Sequence, residues 1–118
     1  TKAGVPTNNL GWELYPQGIK NMSEKYYKIF KKEIYITENG TCDAKDEFRQ
    51  QYIHDHLAMV NELPYVTRYY HWTFIDNWEW AEGESAKFGL VELNFETQER
   101  TIRPSGKYVT KVIETREL

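Results

Sequence analysis

Apolar positions in this chain recur first at helical and then at strand spacing, and the alternation predicts its elements. In "YPQGIKNMSEKYYKIF", Ile19, Met22, Tyr26, Ile29 and Phe30 fall at helical spacing, with Pro16 placed to open the helix. "EIYITENG" follows as a short β-branched and aromatic strand stopped by Asn39-Gly40. Asp46 stands where it would cap a second helix, along which Phe48, Tyr52, His56, Met59, Val60 and Leu63 share one face until Pro64 ends it. "YVTRYYHWTFI" reads as a second strand, apolar enough to be largely buried. "DNWEWAEGESAKFG" is a long polar loop, and "GLVELNFETQERTI" a hairpin turning between residues 96 and 99. Pro104 opens a last helix with Tyr108, Val109, Val112 and Ile113 inward. The first dozen residues, rich in turn formers, read as loop.

Helices alternating with strands imply a parallel sheet, so the class is α/β. Two such strands are too few for a sheet covered on both faces, and the chain is under-supplied with sheet for an independent domain. Its 118 residues make one domain at most, and 40% apolar with 15% aromatic content is enough for a core. A net charge of −3 with mixed signs lacks the basic face a nucleic acid needs. No run of 18 apolar residues exists to span a membrane. The opening "TKAGVPTNNLGW" carries neither a signal segment nor an initiator methionine, which fits a processed or truncated chain. Cys42 stands alone, so no disulfide framework forms within the chain, and a reducing, cytoplasmic setting is expected.

Candidate chemistry sits just past the C-terminal ends of the two predicted strands, where α/β folds gather their active sites. Glu38 ends "IYITE"; taken alone, such a carboxylate is more often simply solvated. "HWTFIDNWEW" carries more weight, with three tryptophans beside two acids. A sugar presents a face of C–H groups that an aromatic plane covers, and hydroxyls that a carboxylate accepts. Trp72, Glu79 and Trp80 supply both functions close together. A core strand accounts for Phe74 and Ile75, but an acid between Trp78 and Trp80 is costly to bury unpaired. His54 and His56 lie on different sides of a helix and His71 is isolated, so no metal site is expected. No Gly-x-Ser-x-Gly elbow or Gly-rich phosphate loop is present, and no cofactor is implied.

At "IYITENG" and "WTFIDNWEWAEG" the chain resembles glycoside hydrolase family 1, the β-glucosidase family. "GWELYPQGI" is similar to the segment ahead of the family's seventh barrel strand, and "KFGLVELNFETQERTIRPS" to the stretch leading to its final helix. The resemblance runs in order along almost the whole chain. It implies that residues 1–118 are the C-terminal quarter of a (β/α)8 TIM barrel, strands seven and eight with their helices and a hairpin. It also implies retaining hydrolysis of β-glycosides. By motif, Glu38 would be the nucleophile and Trp72 the platform under the non-reducing sugar. Glu79 would grip that sugar's hydroxyls, Trp80 would donate its indole N–H to another, and Phe88 would line the same subsite.

A retaining glycosidase needs two carboxyl groups about 5 to 5.5 Å apart, an ionised nucleophile and a protonated general acid. Glu38 fills one role only. The residues alone would pair it with Glu79, whereas the resemblance gives Glu79 to sugar binding. The family's acid/base motif, Thr-x-Asn-Glu-Pro, is absent. "NELP" at 61–64 looks similar, but Glu62 closes a helix at the wrong end of the unit. The expected partners are therefore a β-glycoside and the remainder of the barrel, in the same or a second chain. The chain alone is expected to be inactive; the alternative is a non-catalytic sugar-binding or structural remnant. "GESAKFG" departs from the family's usual Gly-Tyr-Ser-x-Arg-Phe-Gly, with Glu84 and Lys87 replacing tyrosine and arginine, and leaves glucoside against galactoside open. Phospho-sugar members usually carry serine at the position of Glu79, so an unphosphorylated sugar is favoured.

Overall fold

The computed structural model describes residues 2–118. Helix α1 spans Pro16–Phe30 and strand β1 Ile34–Asn39; helix α2 spans Arg49–Asn61 and strand β2 Val66–His71. Strands β3 (Val91–Leu93) and β4 (Arg100–Ile102) precede helix α3 (Pro104–Thr115). The predicted order is the observed order. Pro16 and Pro104 open α1 and α3, where a missing N–H costs no intrahelical bond. Lys31 and Arg116 close the same helices in the left-handed conformation, each donating its N–H to a carbonyl of the last turn.

β1 and β2 pair in parallel, and β3 pairs antiparallel with β4 as the expected hairpin. The hairpin's turn is held by Asn94, whose Oδ1 accepts the N–H groups of Glu96 and Thr97. Past His71, the chain continues beside the segment that leads into β3. Leu90 N donates to Thr73 O (3.0 Å), Val91 N to Phe74 O (2.9 Å) and Asp76 N to Val91 O (3.1 Å). This strip ties the long loop back to the strand that launches it.

Three sequence expectations change. Asp46 does not cap α2; Asp43 does that, its Oδ2 accepting from Phe48 N (2.8 Å) and Arg49 N (2.9 Å). Asp46 instead reaches α3, accepting from Ser105 N (2.8 Å) and Ser105 Oγ (2.6 Å), and pairs with Arg49. Capping needs only an oxygen at the right place, and a folded chain can bring one from 59 residues away. The second strand is not largely buried: Tyr70 is exposed and Phe74 is 71% exposed, so Phe74 is no core residue. Nor do the apolar faces of α1 and α3 all pack, since Ile29, Phe30 and Ile113 are each at least 60% exposed. A two-stranded parallel sheet covers only what lies between its strands and its helices, so the remaining apolar faces stay open.

Part of the core lies under the site. Cys42, Ala86 and Phe88 form a buried cluster against which Leu10 and Trp72 pack. Arg49, wholly buried, donates to Lys87 O (2.8 Å) and to Asp43 O, joining α2 to the loop that carries Phe88. No helix among the described residues is long and apolar enough to cross a membrane.

Candidate active site

Glu38, Trp72, Glu79 and Phe88 meet around one open hollow of ≈ 340 Å³, together with Trp12, Asn39 and Gly40. Each arrives from a different turn of the chain. Glu38 lies near the C-terminal end of β1 and is exposed to the hollow. Trp72 follows β2, and its indole Nε1 donates to Glu79 Oε1 at 3.1 Å. That bond holds the Glu79 side chain, while Glu79 N donates to Gly83 O (2.8 Å) and closes the local turn. A half-buried carboxylate with one such partner keeps other lone pairs free to accept hydroxyl hydrogens.

Gly40 has a reason beyond ending a strand. A Cβ there would sit 1.6 Å from the carbonyl oxygen of Trp72, so only glycine lets the two strand ends close side by side. Across that contact Trp72 N donates to Asn39 O at 3.0 Å. The backbone carrying Glu38 is thereby joined directly to the backbone carrying the tryptophan.

Trp12 had no assigned role in the sequence. Asn8 Oδ1 accepts from Leu10 N (2.9 Å) and Trp12 N (3.0 Å), folding the first loop so that Trp12 meets Phe88 at 5.9 Å between ring centroids. The cluster Asn8-Asn9-Leu10-Gly11 before Trp12 was the available signal, since Asn-led turns aim the residues that follow them. Trp80 is placed otherwise than its neighbours. It sits on a short 3-10 turn (Trp80–Glu82), is 85% exposed, and does not line the hollow. Glu62, set aside in the sequence, closes α2 and pairs with Lys20, outside the hollow. Among the described residues no group of three or more His, Cys, Asp or Glu could hold a metal ion.

His71 lies one residue before Trp72 with both ring nitrogens buried. Burial, and then the Arg49 charge, lower its pKa from the ordinary 6.5 to about 4. A histidine held low binds its proton less readily folded than unfolded, so stability is full above 6.5 and declines as pH falls to about 4. Urea midpoints measured across this window should fall with pH in the native protein and fall less steeply in His71→Leu. Equal slopes would refute the assignment, because His56, also lowered by burial, is present in both proteins.

The family-wide sequence pattern described as Glycosyl hydrolase family 1 matches residues 1–118, and the chain belongs to that family. Among curated relatives, the β-galactosidase of Pyrococcus woesei is 42% identical over 117 residues, covering 96% of this chain and 23% of that protein. The β-galactosidase of Saccharolobus solfataricus is 38% identical over 108 residues, 88% of this chain and 22% of its own length. The solved family 1 β-glucosidase of Thermotoga maritima superposes with a TM-score of 0.93 at 30% identity, over 100% of this chain and 30% of that one. The chain thus spans under a third of these relatives, and its fold is that of part of such a glycosidase.

Proposed function

We propose that this chain is the C-terminal quarter of a retaining β-glycosidase barrel, carrying the nucleophile and much of the wall that holds the non-reducing sugar. The observation that carries the reading is the meeting of Glu38 with the Trp72–Glu79 pair around one hollow. An aromatic plane and a fixed carboxylate hold a sugar by its C–H face and its hydroxyls. A second carboxylate beside them is then placed to attack it.

In the first step a Glu38 carboxylate oxygen bonds to the anomeric carbon as the bond to the leaving oxygen breaks. That oxygen takes a proton from a carboxylic acid contributed outside residues 1–118. In the second step the resulting carboxylate removes a proton from water as the water oxygen attacks the same carbon, and Glu38 leaves as a carboxylate. Trp72 lies under the sugar ring, Glu79 accepts from its hydroxyls, and Phe88 and Trp12 line the hollow's aromatic side. Trp80, exposed on its turn, donates to a hydroxyl once the barrel and its substrate surround it. Glu79 would repel a 6-phosphate group, so the sugar is unphosphorylated, a β-glucoside or β-galactoside.

The rest of the barrel, in the same or a second chain, covers the exposed apolar faces of α1 and β2. The reading is tested by intact-mass and peptide mapping of the native-source protein after exposure to a 2-fluoro-β-glucoside trap. A sugar ester on the peptide containing Glu38 is expected. A label on another carboxylate would sink the assignment, and no label at all would leave a sugar-binding remnant as the better account.

A further inference from the structure

We infer that Tyr52 and Tyr69 act as positioning residues, clamping the Asn39 side chain so that a bulge in β1 aims Glu38 into the hollow. The inference rests on the reading of Glu38 as the nucleophile. Its basis is the register between the two parallel strands. Ile36 lies opposite Tyr69 and Asn39 opposite His71, so β1 takes three residues where β2 takes two. Side chains alternate faces along a strand, and an unbroken alternation would set Glu38 on the side of Ile34 and Ile36, both partly buried. The extra residue breaks it. Asn39 takes the partly buried side, and Thr37 and Glu38 are both exposed. Bulges beside active sites characteristically re-aim one side chain in this way.

A bulge leaves its ladder weakened, so something else must keep it in place. Here Tyr69 Oη donates to Asn39 Oδ1 at 2.8 Å, and Asn39 Nδ2 donates to Tyr52 Oη at 3.1 Å. One partner comes from the neighbouring strand and the other from α2, so the amide is gripped from two elements. Tyr52 is itself set by packing tilted against His56, with ring centroids 3.9 Å apart. Burial raises both phenols above their ordinary pKa, so the hydroxyls keep their protons across the neutral range. Neither tyrosine lines the hollow, so neither touches the sugar there. Both act through Asn39.

The test uses the whole enzyme in which this chain occurs and the same 2-fluoro-β-glucoside, read as a rate constant for trapping and a dissociation constant for the trap. Tyr69→Phe and Tyr52→Phe each remove one oxygen. Each should slow trapping about tenfold while leaving the dissociation constant within about twofold, because aim and not sugar contact is lost. Tyr69→Phe placed on Asn39→Ala should cause no further loss, the non-additivity expected of one shared device. If Asn39→Ala does not fold, the two phenylalanine variants still decide the matter. Trapping at the native rate in both, or a weakened dissociation constant with the rate unchanged, would overturn the clamp alone. A native enzyme that is never labelled at Glu38 would overturn the nucleophile reading, and the clamp with it.

Discussion

On the proposed reading of Glu38 as nucleophile, its replacement by glycine in the whole enzyme should slow β-glycoside hydrolysis at least about a thousandfold, the scale on which loss of a covalent nucleophile is felt. The sharper expectation is what azide then does. Glycine leaves a vacancy on the face of the sugar that the carboxylate would attack, and a small anion fits there. Azide would displace the leaving group from that face in a single step, giving a glycosyl azide of inverted anomeric configuration. A retaining enzyme, as proposed, would instead pass through two displacements and return the original configuration. Proton magnetic resonance of the product distinguishes the two at the anomeric hydrogen. An α-azide from Glu38→Gly, activated by a good leaving group, places Glu38 on the attacking face. A β-azide, or no rescue beside an intact acid/base, would assign the nucleophile elsewhere.

Features that depend on neighbours in sequence were legible before the fold was known. Helical spacing located α1, α2 and α3, prolines the starts of α1 and α3, and Asn39-Gly40 the end of β1. Glu38, Trp72, Glu79 and Phe88 stand in ordered motifs, and the structure brings those four to one hollow. What stayed hidden depends on contacts between distant residues. Asp46 looked like a cap for the helix beside it and serves α3 instead, because Asp43 reaches the first turn of α2. Trp12 lies 26 residues before Glu38, and only the folded first loop sets it on Phe88. The bulge in β1 cannot be read from "IYITENG", since its extra residue exists only relative to the register of β2. Hydrophobic patterning overstated burial for Phe74, Ile29 and Ile113, because it reports which faces suit a core and not whether another element lies against them.

The loop that carries Glu79 and Phe88 is held at both ends by a buried ion pair of Asp76, at its start, with Arg103 before α3. Arg103 Nη1 and Nη2 donate to Asp76 Oδ1 (3.0 Å) and Oδ2 (2.9 Å), and Nη1 also donates to Gly89 O at 2.7 Å. Asp76 Oδ1 in turn accepts Gly89 N at 2.9 Å, so one carboxylate binds both the start of α3 and the residue next to Phe88. Asp76 is 1% exposed and Arg103 5%. Asp76→Ala leaves a guanidinium buried without its counter-charge, and stability in urea should fall by about 3 to 5 kcal/mol. Replacing both partners, as Asp76→Leu with Arg103→Met, removes the stranded charge and should recover most of that loss. Sugar affinity should behave differently. The double variant still lacks the bonds that hold Gly89, so Phe88 loses its placement and inhibitor binding stays weakened although the fold is restored. Stability and binding that recover together would show the pair to be a packing feature alone. Recovery of stability without binding would show that the ion pair shapes the sugar wall from behind.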